Sequence, residues 1–256
     1  MPDSTDRRDR AVSHTVAFVL VFSLIVTSVG VVTTAGVDSL QDVQENQQAD
    51  SSAALIRAAG AGINEVATGD RPGYRSSLDL GGGGLQVTNR TQVRIEVSNT
   101  SGTVFDRTYR PGALRYRANE RNVTYQSGLL ARGGERRQAV LLAGAGFRCD
   151  RDRDYVSLTV VRLRNPTGGA IGGGPVTIRA SAPRGAAPGN VSGLAFPAER
   201  PHPSATAVEV TVAGPYAAAW DDALTERGFT DAGGGTYRCP VSRVFVHAPR
   251  VNVRLV

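Results

Sequence analysis

Lysine is absent from this 256-residue chain, so all 29 basic residues are arginine. A Walker A phosphate loop needs its lysine, and so does Schiff-base chemistry, so both are excluded. Histidine is scarce. His14, His202 and His247 stand without ligand spacing, so no metal and no cofactor is expected. Aromatic residues make up 6% of the chain, and tryptophan occurs once. No acid, base and nucleophile come together in any recognisable pattern, and the chain does not read as an enzyme. Cysteine occurs twice, at Cys149 and Cys239. Each follows an aromatic residue and an arginine: Phe147-Arg148 and Tyr237-Arg238. In a chain with an export-type N-terminus such a pair reads as one disulfide, with two buried thiols as the alternative.

Charge is also missing from residues 12–37. The core of that stretch, residues 12–32, is about 21 residues, or roughly 31 Å as a helix. That length matches the ~30 Å hydrocarbon core of a bilayer, and the segment is apolar nearly all round. It reads as a transmembrane helix. Arg7, Arg8 and Arg10 precede it, while Asp38, Asp42, Glu45 and Asp50 follow before the next basic residue, Arg57. The positive-inside rule then puts the N-terminus in the cytoplasm and the C-terminal domain outside the cell, on a single-pass protein of the cell membrane. Three readings of the helix compete: a plain anchor, a cleavable secretory signal, and a prepilin signal whose charged leader is clipped while the helix stays.

The last reading has specific support. Arg10-Ala11-Val12-Ser13, running into Val16-Ala17-Phe18-Val19-Leu20-Val21, resembles the start of archaeal type IV pilins and pilin-like proteins, above all those of salt-loving euryarchaea. The resemblance implies a class III prepilin-type N-terminus, cut by a prepilin peptidase between Ala11 and Val12. It implies a helix that packs with other pilin-like subunits as the spine of a filament. His14 stands where proline is common and Ala17 where glycine is common. No glutamate lies in the first turns of the mature helix. These departures point to a minor pilin or pseudopilin rather than the main fibre subunit. The resemblance covers residues 7–66 well and the last fifty loosely.

The expected organisation is a leader at 1–11, a membrane-spanning and amphipathic helix at 12–67, and a β-rich domain at 68–256. Between 38 and 67, Leu55, Ile56, Ala59, Ile63 and Val66 recur at spacings of three and four, which marks one buried stripe. Thr68-Gly-Asp-Arg-Pro72 ends the helix. Beyond it the pattern is β. Thr91, Val93, Ile95 and Val97 alternate with polar residues, as do Val208, Val210 and Val212. With 30 glycines and 13 prolines the chain is punctuated into short strands. Residues 168–174 read as a flexible loop or strand corner, and residues 182–203 as a long loop. Gly214-Pro215 starts a short helix whose buried edge is Tyr216, Trp220 and Leu224, and this run is similar to the C-terminal part of many salt-loving archaeal pilin-like proteins. The tail alternates up to Val256 and is expected to lie inside a sheet. The fold class expected is therefore α+β: a long N-terminal transmembrane helix, then a mostly antiparallel β-sandwich-like head with one short C-terminal helix.

Formal net charge is +6, and the arginine surplus concentrates between Arg107 and Arg164. It reads either as a solvated strand surface or as a patch for an anionic partner such as acidic glycan or lipid headgroup; nucleic acid is not an expected partner. Sequons mark Asn89, Asn99, Asn122 and Asn190 as candidate glycosylation acceptors. The function these features imply is a membrane-anchored pilin-like subunit of an archaeal type IV pilus or secretion-type filament, in contact with the lipid bilayer. The alternative is a single-pass anchored surface protein with a β-sandwich head that binds a ligand and is not polymerised.

Overall fold

A computed structural model describes the backbone of residues 6–118, 121–134, 137–183 and 205–256. It describes the side chains of residues 16–30, 51–118, 122–133, 139–183 and 205–256. The loop expected at 182–203 falls mostly outside the described residues. The chain divides into two compact units, Met1–Asp50 and Ser51–Val256.

Helix α1 (Asp6–Thr68) runs through the first unit and into the second. Nothing breaks it earlier, because no proline occurs between Pro2 and Pro72. Its end is well defined. Gly69 adopts a left-handed φ of 87°, and the Thr68 hydroxyl donates to the Asn64 carbonyl at 3.0 Å. The Arg71 amide reaches back to the Glu65 carbonyl at 3.1 Å.

The strands follow in chain order. They are β1 (Gly73–Asp79), β2 (Gly84–Thr88), β3 (Gln92–Asn99), β4 (Gly102–Tyr109), β5 (Ala113–Ala118) and β6 (Arg121–Gln126). Next come β7 (Leu129–Gly134), β8 (Arg137–Ala143), β9 (Phe147–Asp150), β10 (Tyr155–Thr159), β11 (Arg162–Arg164) and β12 (Ala170–Gly172). β13 (Pro175–Ser181) and β14 (Ala205–Ala213) lead to helix α2 (Ala217–Glu226). The chain closes with β15 (Thr230–Gly233), β16 (Thr236–Cys239), β17 (Arg243–His247) and β18 (Arg250–Leu255).

Four sheets result, with strand orders β1-β13-β18-β11, β17-β10-β9, β12-β2-β5-β6-β7-β8 and β15-β16-β14-β3-β4. Most neighbours are antiparallel, joined by short turns. Two pairs are parallel, β10 with β17 and β11 with β18.

Within the second unit, two apolar clusters form. In one, Ile56, Ala59, Ile63 and Val66 of α1 pack on Leu78, Ile178, Val251 and Val253, and on Leu85, Leu114 and Tyr125 of the six-stranded sheet. The spacing of three and four read in the sequence is the face that does this. The other cluster joins Val93, Ile95, Val208 and Val210 to Phe147, Val156, Leu158 and Val244, with α2 against them through Ala219, Trp220, Ala223 and Leu224. Trp220 is wholly buried. Its indole donates to Gln126 Oε1 at 2.9 Å, and Gln126 Nε2 donates to the Pro111 carbonyl at 3.2 Å. A buried indole N–H thus has a partner, and so does the amide that serves it.

Two expectations are corrected. The fold is not α+β but mostly β: the described residues hold eighteen strands and two helices. Glycine and proline, recurring every few residues after position 68, cut the chain into short extended runs and leave room for only one further helix. Nor is the expected transmembrane segment found. Among the described residues no helix is long and apolar enough to cross a membrane. The single-pass anchor, with a cytoplasmic N-terminus and an extracellular C-terminal domain, falls with it.

Candidate functional site

The side chains described in the first unit, those of residues 16–30, form a helical surface, and none of them is titratable. Val16, Phe18, Val19, Leu20, Val21, Phe22, Leu24, Ile25, Val26 and Val29 are each more than half exposed, from 53% to 72%. Successive helical residues turn by about 100°, so these ten positions cover every side of the helix rather than one stripe. Two of its hydroxyls turn inward on the backbone. Thr27 Oγ1 donates to the Ser23 carbonyl at 2.7 Å, and Ser28 Oγ to the Ile25 carbonyl at 2.8 Å. Phe18 and Phe22, one turn apart, lie 6.2 Å apart in a stack. A Cβ added to Gly30 would meet nothing within 4 Å. This surface can do no acid–base or covalent chemistry. It can pack, and an apolar surface of this extent marks a contact site.

The residues read as a cleavage signal, Arg10, Ala11, Val12 and Ser13, lie within α1, and their side chains fall outside the described residues. So does His14. Asn190 and His202 are also outside them. The other sequon asparagines sit at strand ends and on strands. Asn89 is exposed in the β2–β3 turn, while its partner Thr91 is wholly buried. Asn99 Oδ1 accepts the Ser101 amide at 2.8 Å. Asn122 Oδ1 accepts from Arg115 Nη2 at 3.3 Å.

The cysteines are joined. Cys149 on β9 and Cys239 on β16 form a disulfide with Cα atoms 5.9 Å apart. It ties the three-stranded sheet to the five-stranded one, and no free cysteine remains. A cleft of about 510 Å³ lies beside it, lined by Arg148, Asp150, Arg151, Glu226 and Arg227. Its charges are internally matched. Arg148 meets Asp150 at 3.2 Å, and Arg151 donates to the Gly228 carbonyl at 3.0 Å.

Other ionisable groups serve the fold. Asp154 accepts from the Ser242 amide at 2.7 Å and from its hydroxyl. Those bonds hold its carboxyl below the usual range. Burial pushes the Tyr237 phenol up, and the hydrogen bond with Asp221 and the charges of Asp221, Asp231 and Asp222 add to it. Asp221 and Asp222 are exposed on α2. Among the described residues no group of three or more His, Cys, Asp or Glu is placed to hold a metal.

Fold and surface together define a mostly-β protein that carries a long helix with an exposed apolar surface. The chain belongs to DUF7289, a family of unknown function, matched over residues 10–256. No curated protein and no solved structure matches it.

Proposed function

We propose that this chain is a pilin-like subunit, of the minor pilin or pseudopilin kind, in an archaeal type IV pilus or secretion-type filament. The helix between Val16 and Val29 packs laterally against the same helix of other pilin-like subunits. One observation carries the reading: ten large apolar side chains on every side of that helix are exposed in the single chain. Burying a Val, Leu, Ile or Phe is worth about 1.5–3 kcal/mol each, so a surface of this kind left in water drives association. A bundle of like helices covers it on all sides, whereas a single flat partner covers only one stripe.

The resemblance at Arg10-Ala11-Val12-Ser13 supports the same reading. On it, a prepilin peptidase cuts between Ala11 and Val12, and removal of the charged leader frees the helix end for packing. The family match takes in the helix as well as the strands, as expected if both belong to one working unit.

The test is the N-terminus of the mature protein from its native source, read by mass spectrometry. A start at Val12 supports prepilin processing. A start at Met1 or Pro2 removes the prepilin argument and with it the filament reading.

A further inference from the structure

The arginine surplus seen in the sequence converges, in part, on one edge of the four-stranded sheet. Arg162 on β11 stands directly beside Arg250 on β18 in the parallel register, and Arg164 stands beside Asn252. Leu163 and Val251, between them, turn the other way into the apolar cluster. The polar face of this strand pair therefore carries four arginines, Arg162, Arg164, Arg250 and Arg254. Arg162 is half-buried, and both its Nε (2.9 Å) and its Nη2 donate to the Ala248 carbonyl. The turn after β4 closes on β11, since a Cβ added at Gly112 would lie 2.5 Å from Leu163 Cβ, and near the end of β4 Arg107 and Tyr109 share a face. The Arg107 guanidinium sits 5.9 Å from the centre of the Phe105 ring, which steadies it.

Like charges placed side by side on a sheet are destabilising unless something offsets them. Among the described residues nothing acidic does so here. Asp106, next to Arg107 in sequence, faces away and is held by Arg94 at 2.8 and 2.7 Å. Glu96 is also taken up on that side, by Arg94 and by the Thr103 hydroxyl. Burial holds Arg162 below the usual arginine range, and the positive charges of Arg250, Arg164 and Arg107 add to that, opposed only by the Tyr109 phenol. Tyr109 is only 7% exposed, and among the described residues its hydroxyl has no hydrogen-bond partner. Adjoining this face is a cleft of about 370 Å³ lined by Thr88, Asn89, Arg164 and Asn252, among others.

We propose that Arg107, Arg162, Arg164 and Arg250 form a binding site for a phosphate or sulfate group. Guanidinium forks match the oxygens of a tetrahedral oxyanion, and the anion supplies the negative charge this face lacks. The site is independent of the filament reading, because it lies wholly within the β-rich unit.

The test is calorimetric titration of the full-length chain with inorganic phosphate at fixed ionic strength. Saturable binding is expected. Arg250→Gln and Arg107→Gln change exposed side chains; Arg107→Gln also gives up its place over the Phe105 ring, so its melting curve is read beside its binding. Each should weaken binding about tenfold or more, the scale of one charge-assisted hydrogen bond. Arg238→Gln, on β16 and separated from β4 by β14 and β3, should leave it unchanged. Arg162→Gln also loses the bonds to Ala248 and is best judged alongside its melting curve. No saturable binding, or equal binding by wild type, Arg250→Gln and Arg107→Gln, overturns the site.

A second arm identifies the source of the group. Sedimentation with phosphatidylglycerol vesicles that inorganic phosphate competes away assigns the site to a lipid headgroup. Phosphate binding without vesicle capture assigns it to a free ion or a soluble ester.

Discussion

At the scale of single residues, two glycines decide how closely α1 can approach the strands in the second unit. A Cβ at Gly60 would lie 2.3 Å from Tyr125 Cδ2, and one at Gly62 would lie 2.2 Å from Tyr74 Cδ2. Each tyrosine ring therefore lies flat against the helix backbone. Tyr125 is held there by a hydrogen bond from its hydroxyl to Asn64 Oδ1, and burial pushes its phenol up. In a solvated helix Gly→Ala is worth up to about 1 kcal/mol in favour of alanine. Here the ring must move out of a packed core, at about 1–3 kcal/mol. Overpacking wins, so Gly60→Ala should destabilise the chain by about 1–2 kcal/mol in urea unfolding. A variant as stable as wild type or more so shows that the Tyr125 ring can shift freely.

His247 gives the chain a pH dependence with a definite sign. Burial lowers its pKa from the ordinary 6.5, and Arg162 adds to the shift. Above about pH 6.5 the imidazole is neutral in both folded and unfolded chains and contributes nothing. Below that value the unfolded chain takes up the proton first. Stability is therefore lost as pH falls from about 6.5 through the lower folded value. Asp154, held below its ordinary 3.8, contributes stability above that value and loses it only in stronger acid. Melting temperature should thus fall as pH drops below about 6.5, and His247→Gln should flatten that part of the curve. An identical slope in the variant excludes His247 as the source.

At the scale of elements, β18 is the strand whose loss should cost most for its length. It runs between β13 and β11, with Val251 and Val253 wholly buried. Val256 and Thr177 exchange backbone bonds of 2.7 and 3.0 Å beyond its last pair. Removing residues 253–256 takes two apolar side chains, Val253 and Leu255, out of the core, about 3–6 kcal/mol by burial alone. It also leaves the end of β13 without its partner. The truncated chain should melt well below the full one, and an unchanged melting temperature contradicts this account.

That the tail lies in a sheet was legible from its alternation. So were β3 and β14, where buried and exposed positions alternate, and the buried edge of α2 at Tyr216, Trp220 and Leu224. Those elements have one wet face and one dry face, and the periods of 2 and 3.6 record it. β15, exposed at all four positions, and β7, Leu-Leu-Ala-Arg-Gly-Gly, carry no such record. The parallel pairs were invisible for another reason. Arg162 and Arg250 stand 88 positions apart, and no local pattern says that they will be neighbours. The sequence therefore showed an arginine surplus between 107 and 164 but not its focus, which needs Arg250 and the turn at Ala248 to complete it. It also supported one disulfide or two thiols, and only the approach of β9 to β16 decided between them.

At the scale of the whole molecule, the exposed helical surface is the feature the rest of the fold does not account for. The β-rich unit buries its own apolar residues in two clusters, whereas Val16 to Val29 present theirs on every side. If lateral packing covers that surface, a charge placed on it must either be desolvated or prise the helices apart. Both cost far more than the 1.4 kcal/mol of a tenfold change in affinity. The double variant Val19→Asp with Phe22→Asp should therefore need at least about tenfold more protein to assemble, as read by sedimentation velocity across a concentration series. The two aspartates lie three residues apart on one side of the helix, where they also repel each other. Neither position belongs to the two apolar clusters of the β-rich unit, so the melting of that unit should stay where it was and serve as the internal control. Unaltered assembly with an unaltered melt means that the association surface lies elsewhere, and the lateral-packing reading then fails.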